Sequence, residues 1–261
     1  MQVKKYECNE NYLNYQCNIC GTQNSSEMSK LSREIPSCRK CGSTVRWRSI
    51  IHTLSSELFE QSLVLTDFPL NKNIKGVGMS DWDEYAVPLA NKLDYTNTYN
   101  HQEPRLDITS IKESMKNTFD FVISSDVFEH VLYPVSRAFK NTSDILKENG
   151  VFIFTVPYTI EGDKTVEHFG QLNEFEIFKK DDKYIMRDIL KTGEVRLFEN
   201  LVFHGGPGST LEMRVFTKQS LMKEFKQAGF NKVKIYSDPY LKYGIFYGDT
   251  SWVRPIVATK K

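Results

Sequence analysis

The sequence predicts an α/β protein in two unequal parts: a small cysteine-bearing head, then a body built on a doubly wound, mostly parallel sheet of about seven strands with helices on both faces. Three observations carry that expectation. All five cysteines of the 261 residues lie within the first 41. From residue 63 onward, short apolar runs alternate with stretches of helical periodicity, the pattern of βαβ units. The clearest run, Phe119 to Ser125, is a buried strand that ends in small polar residues, as strands do when they open onto a crevice.

Composition sets the bounds. Hydrophobic residues make up 40% and charged residues 26%, with 34 basic against 33 acidic side chains. That length suffices for a large domain with an appended module. A net charge of +1 excludes a protein that holds nucleic acid chiefly by bulk electrostatics. The charge is uneven, because residues 1–52 carry a basic surplus and the remainder a slight acidic one. No apolar run reaches the ~20 residues that cross a bilayer, and the opening MQVKKYECNENYLNY lacks the apolar core of a secretory signal. A cytoplasmic protein without a membrane partner is the expectation; nothing in the sequence indicates its oligomeric state.

The head is read from spacing. Cys17-Asn-Ile-Cys20 and Cys38-Arg-Lys-Cys41 form a C-x2-C-x17-C-x2-C pattern within the range of four-thiolate zinc sites. A two-residue gap lets one tight knuckle aim two sulfurs at a common point, and two knuckles complete a tetrahedron. Gly21 and Gly42 follow each pair, where the knuckle favours a residue without a Cβ penalty. The alternatives are two disulfides, disfavoured in a reducing compartment, or unligated core thiols. With all four positions thiolate, Zn²⁺ here is structural and supplies folding energy to a ribbon too small to fold alone. Cys8 remains as a free thiol. The ribbon is expected over residues 1–45, a linking helix and connector over 46–72, and the main domain over 73–261.

Along the body, Ile50, Ile51, Leu54, Leu58 and Phe59 have helical spacing within residues 45–60. Strands are expected at Ile74–Met79, Tyr95–Tyr99, near Arg105–Asp107, Phe119–Ser125, Val151–Val156, 232–236 and 252–258. A helix runs up to Leu93, with Pro88 expected in its first turn. A second spans 134–147 and closes at Glu148-Asn149-Gly150, and a third spans Lys218–Ala228 before Gly229.

The strand ends carry the chemistry. Gly76-Val77-Gly78-Met79-Ser80-Asp81 follows the first strand, and Phe119-Asp-Phe-Val-Ile-Ser-Ser-Asp126-Val-Phe-Glu129-His130-Val131 spans the fourth. Together with Ile145-Leu-Lys-Glu-Asn-Gly-Val-Phe-Ile-Phe-Thr-Val-Pro157 and the late helix through Ala228-Gly229-Phe230, these strings resemble class I S-adenosylmethionine-dependent methyltransferases over about residues 73–160 and 216–260. The resemblance implies a Rossmann-like sheet preceded by the ribbon, and S-adenosylmethionine as cofactor. It places Gly76, Gly78 and Ser80 in the glycine-rich loop, Asp107 at the adenine amine with Ile108 beside it, and Ser124 and Ser125 near the methionine moiety. His130 lies with Ser125 on the cavity rim.

The sequence departs from the family pattern in two places. The D-x-G-x-G-x-G motif is reduced to two glycines, and no acidic residue ends the second strand to grip the ribose. Either Glu103 folds back, or Tyr99 and Asn100 make a neutral contact. Arg46 and Arg48 either reach the cofactor carboxylate or coat the helix start.

Segment 159–216 lies where this fold inserts substrate-binding structure. It contains Glu167-His168 and His204-Gly-Gly-Pro-Gly-Ser209, a turn that either caps the acceptor or closes a hairpin. Candidate bases are His130, Asp126, His204 and His168. The cysteine-free body disfavours methylation through a cysteine adduct, so O- or N-methylation is expected. The Cys-x-x-Cys-Gly-Ser-x-x-Arg element looks like that of bacterial methyltransferases modifying saccharides or small metabolites, which makes a small-molecule or saccharide acceptor the leading expectation. The alternatives are RNA bound through the ribbon, an inactive zinc-bearing interaction module, and an NAD-dependent enzyme. The last lacks the third glycine of a dinucleotide loop.

Overall fold

The spacing of Ile50, Ile51 and Leu54 produces the first helix, and its apolar face sets how head and sheet meet. The computed structural model describes residues 8–9, 11–248 and 254–261. In the head, β1 (Tyr12–Gln16) and β2 (Gln23–Glu27) pair antiparallel, bordered by the short strand Cys8–Asn9. The side chain of Cys8 lies outside the described residues. Helix α1 (Val45–Phe59) begins at Thr44, whose hydroxyl accepts from the Trp47 amide. Then follow β3 (Asn71–Met79), α2 (Asp83–Lys92), β4 (Leu93–Thr98), β5 (Phe119–Ser125), α3 (Ser136–Ile145) and β6 (Leu146–Thr155). A three-stranded antiparallel sheet, β7 (Glu174–Lys180), β8 (Lys183–Ile189) and β9 (Val195–Phe198), fills the insertion. The chain ends with β10 (Arg214–Thr217), α4 (Lys218–Ala228), β11 (Phe230–Ile235) and β12 (Ile256–Lys260).

The central sheet has the order β11-β12-β6-β5-β3-β4. Strands β4, β3, β5 and β6 run parallel, while β12 is antiparallel to β6 and to β11. Its two faces have separate cores. On one, α1 and α2 cover Phe121, Ile123, Ile153 and Val257, with Cys17 and Ile19 of the head joining the same cluster. On the other, α3 and α4 pack Phe139 and Phe225 against Phe128, Phe152 and Phe154. The head also shares a smaller core with the C-terminal loop, where Leu13 and Tyr15 meet Tyr243 and Ile245.

The sheet has six strands among the described residues, not seven. The strand expected near Arg105–Asp107 is reduced to one parallel bridge between Tyr99 and Arg105, in a segment whose only helix is the single turn Glu113–Met115. The helix expected over 134–147 ends at Ile145, because the chain enters β6 directly through an irregularity containing Asn149 at φ 61°. Pro88 sits inside α2 rather than in its first turn; burial of Tyr85, Ala86 and Leu89 holds this short helix together around it. The late helix matches its expected bounds, capped reciprocally by Thr217 and Ser220 and ended by Gly229 at φ 98°. The last strand starts at Ile256, later than expected, and residues 252–253 lie outside the described residues.

Candidate functional site

In the head, each Cys-x-x-Cys pair closes on its glycine: the Gly21 amide donates to the Cys17 carbonyl and the Gly42 amide to that of Cys38, both at 2.9 Å. Both glycines have positive φ, 75° and 71°. The four sulfurs converge, Cys17 on Cys41 at 3.7 Å and Cys20 on Cys38 at 3.6 Å. A tetrahedron of 2.3 Å Zn–S bonds has edges of about 3.8 Å, so the donor set fits Zn²⁺. Ser43 Oγ lies 3.2 Å from Cys17 Sγ, and Asn24 Nδ2 points at Cys38 Sγ from 3.6 Å. Beneath them Arg48 is wholly buried, donating to the Ser43 and Gly244 carbonyls and stacking on Tyr15. Arg48 therefore braces the head and does not reach the crevice.

The second site lies beyond the carboxyl ends of β3, β4 and β5, where the strand order reverses direction between β3 and β5. A main cavity of about 1320 Å³ adjoins a small lobe of about 380 Å³, and Arg46, Ser80 and Tyr99 line both. Ser80 takes the left-handed φ of 57° as the chain leaves β3, at the place where the third glycine of a glycine-rich loop is missing. Its amide donates to the Thr98 carbonyl at 2.7 Å.

Gly76 and Gly78 lie within β3 and do not line either space. A Cβ on Gly76 would overlap the Phe121 ring, and one on Gly78 would overlap Tyr95 and Asp81. These glycines make room for aromatic rings inside the sheet, and close ligand approach begins only at Met79 and Ser80. Ser124 is likewise fully buried and outside the lining.

The small lobe pairs opposite charges. Arg46 forms a fork on Glu34, Nε to Oε1 at 3.0 Å and the terminal nitrogen to Oε2 at 2.8 Å, and donates to Ser125 Oγ at 2.6 Å. Asp81 is buried there, accepting from the Tyr95 hydroxyl, while its Oδ1 has no hydrogen-bond partner. Burial pushes its pKa up to about 7, against the opposing pull of Tyr95, Tyr85 and Arg46. Asn97 fixes the loop by accepting from the Asp81 amide and donating to its carbonyl.

Along the main cavity, Leu106, Asp107, Ile108 and Thr109 form one wall. Asp107 Oδ1 accepts from the Thr109 amide at 2.9 Å and hydroxyl at 2.7 Å. Tyr99 and Asn100 also line the cavity; Glu103 does not, because its carboxylate turns to the Arg105 amide at 2.9 Å. Phe175 and Ile177 of β7, with Phe203, also line the cavity, so the insertion contributes to its wall.

Asp126 is not free to act as a base. Arg33 of the head clamps it with both terminal nitrogens, one at 2.8 Å, and Thr155 Oγ1 donates at 3.1 Å. Burial opposes its ionisation, but Arg33 and then Arg46 outweigh it and hold the carboxyl below its ordinary range. Next to it, Glu129, His130 and His204 converge, with Glu129 Oε1 at 3.8 Å from His130 Nε2 and from His204 Nδ1. Burial, then the charge of Asp126, drives the Glu129 pKa well upward. Burial also lowers the His130 value. His204 ends the first strand of the short hairpin Phe203–His204 with Thr210–Leu211, and Gly205 and Ser209 of its turn line the cavity. His168 lies outside the lining and contacts Glu212 at 2.9 Å.

Sequence reasoning missed Arg33, Glu34, Asp81, Glu129 and Glu212. Glu129 stands beside His130 and Asp81 beside Ser80 in the strings that point to the site; Arg33, Glu34 and Glu212 become visible only when distant segments meet. Among the described residues no helix is long and apolar enough to cross a membrane.

A search of curated proteins found no match. Among solved structures the chain is similar to an S-adenosylmethionine-dependent methyltransferase from Clostridium acetobutylicum ATCC 824, with 15% identity, coverage of 75% of this chain and 85% of that one, and a TM-score of 0.41. It is also similar to CalS10, an amino pentose methyltransferase from Micromonospora echinaspora, with 11% identity, coverage of 84% and 93%, and a TM-score of 0.44. The sugar N-methyltransferase KedS8 from Streptoalloteichus sp ATCC 53650 shares 10% identity, with coverage of 85% and 89% and a TM-score of 0.46. The family described as a methyltransferase domain matches residues 62–235. That match spans more than half of the chain, and the protein belongs to this methyltransferase-domain family.

Proposed function

We propose that the crevice binds S-adenosylmethionine with its amino-acid end in the small lobe, and that the main cavity receives a small-molecule or saccharide acceptor for O- or N-methylation. One observation carries the orientation. The small lobe sets a guanidinium, Arg46, beside a buried carboxylate with an unpartnered oxygen, Asp81, which is the complement of an α-amino acid's carboxylate and ammonium. Glu34 occupies Arg46 in this structure and gives way to the cofactor carboxylate. Adenine then lies along Leu106 and Ile108, where Asp107 Oδ2 accepts from its amine while Oδ1 stays with Thr109. Tyr99 and Asn100 make a neutral contact with the ribose, since Glu103 points elsewhere.

The cofactor supplies an electrophilic methyl group on its sulfonium. The chain's own residues align the acceptor and exclude water, the larger part of catalysis for a direct displacement. Phe175, Ile177 and Phe203 present apolar surface and His130 and His204 present polar edges, the mixed lining of a small-molecule site. Four cysteines hold a structural zinc that fixes the head, and the head in turn positions Arg33, Glu34 and Arg46 at the crevice. RNA is less well served: both arginines facing the cavity are already paired with carboxylates, leaving no free basic track there. A screen for S-adenosylhomocysteine release across amino sugars, nucleotide-linked sugars, phenols and total RNA tests the acceptor class. Turnover with a hydroxylated or aminated small molecule is expected, and turnover confined to RNA would overturn the assignment.

A further inference from the structure

We propose that Glu129, His130 and His204 form a second metal centre, distinct from the cysteine site, which holds a divalent cation at the wall of the acceptor cavity. The argument rests on where each donor's protons are committed. His130 Nδ1 lies 2.8 Å from the Leu211 carbonyl, which can only accept, so Nδ1 carries the proton and Nε2 presents a lone pair. His204 Nε2 lies 2.8 Å from Glu212 Oε2 and donates to it, so that in the neutral ring Nδ1 carries the lone pair. Those two bare nitrogens are the atoms that face Glu129 Oε1, each at 3.8 Å.

Glu129 is 1% exposed, and neither carboxylate oxygen has a hydrogen-bond partner. The cationic side chains whose charge acts on it are engaged elsewhere, Arg33 on Asp126 and Arg46 on Glu34 and Asp126, and Arg214 donates to the backbone carbonyls of Phe128 and Val131. Two lone pairs and an unpartnered carboxylate therefore converge with no donor among them. One proton on Glu129 satisfies a single histidine; a cation satisfies all three groups.

The surroundings have the build of a metal site. Metal-bound imidazoles ordinarily donate their other N–H to a carbonyl or carboxylate, the role filled here by Leu211 and Glu212. His168 Nε2 donates to the other oxygen of Glu212 at 2.9 Å and steadies it. The two carboxylate–imidazole separations of 3.8 Å exceed the about 3.0 Å edge of an octahedron with 2.1 Å bonds, and the three donor atoms all lie within 4.8 Å of one another, so side-chain rotations would draw them onto an ion. Two imidazoles and one carboxylate on one side of an ion leave its other positions open. Here those positions face the cavity that His130 and His204 line, where oxygen donors such as an acceptor hydroxyl or vicinal diol would complete the shell. That last assignment rests on the cavity being the acceptor site; the ion site itself does not.

Mn²⁺ is the suitable probe, because four thiolates favour soft, thiophilic metals over it. With zinc-loaded full-length protein, electron paramagnetic resonance titration is expected to show one Mn²⁺ bound per chain. Glu129→Gln and His204→Ala should each weaken that binding at least tenfold, while zinc content and calorimetric affinity for S-adenosylmethionine report separately on the head and the crevice. If Glu129→Gln does not fold, the more exposed His204→Ala decides. Absence of bound Mn²⁺ at millimolar concentration, or binding unchanged in the folded variants, overturns the site. Cofactor binding without Mn²⁺ refutes only the metal centre, and Mn²⁺ binding without cofactor refutes only the reading of the crevice.

Discussion

Arg33, from the cysteine-bearing head, grips Asp126 at the carboxyl end of β5, 93 residues further along the chain. Asp126 holds a left-handed φ of 55°, unusual for a residue with a side chain, and the ion pair fixes it there. Removing the clamp through Arg33→Ala is expected to cost about 1.5–3 kcal/mol in chemical denaturation, the range for hydrogen bonds to a charged group. The pH dependence follows from the direction of the Asp126 shift. A carboxyl held below its ordinary value stabilises the fold above that value and loses the contribution as pH falls through the folded one. The stability gap between the native chain and Asp126→Asn should therefore narrow below about pH 4; a gap independent of pH in that range would contradict the ion pair.

Metal removal tests the head. A chelator strong enough to strip the four thiolates is expected to release one zinc per chain and to expose Tyr15, Tyr243 and the rest of the shared core to solvent. Because Arg33, Glu34 and Arg46 hang on that head, cofactor affinity should fall with the metal. Metal analysis that finds no zinc, or a stripped protein with unaltered affinity, would count against the arrangement.

Glu34 competes for Arg46. It is half exposed, so its pair with Arg46 is screened, and Glu34→Ala should tighten S-adenosylmethionine binding by about 0.5–1 kcal/mol. Unchanged affinity by calorimetry would mean that the cofactor carboxylate does not meet Arg46.

Asp107 is the expected adenine acceptor. Asp107→Ala should weaken cofactor binding by about 1–3 kcal/mol if the bond is buried in the complex, with little change for ligands that lack adenine.

Much of this was legible in the sequence for local reasons. Two Cys-x-x-Cys-Gly knuckles predict by their spacing that four sulfurs converge, as they do, and the alternation of apolar runs with helical periods predicts the α/β class. The late helix was readable because Thr217, Ser220 and Gly229 cap it with their own chemistry. What escaped notice depends on distant segments. Nothing local tells that Arg33 will neutralise Asp126 and so remove it as a base, or that the Gly244 carbonyl will bury Arg48. Gly76 and Gly78 look like a ligand loop but serve the rings of Phe121 and Tyr95 beneath the sheet. The third strand failed to form because residues 99–105 provide only one bridge before the chain turns away. Glu129 was passed over beside a histidine, since its isolation becomes plain only when Leu211 and Glu212 claim the histidine protons.

Asp81 provides the most direct test of the central claim that the small lobe holds the amino-acid end of S-adenosylmethionine. At pH 6 its carboxyl, with a pKa raised to about 7, is largely protonated in the free protein; an ammonium placed against it favours the ionised form and expels that proton. Calorimetric titration of the zinc-loaded chain with S-adenosylmethionine at pH 6, in buffers of different ionisation enthalpy, should show saturable binding of one cofactor with proton release, and Asp81→Asn should abolish the release. No binding, or binding whose proton release persists in Asp81→Asn, would contradict the account.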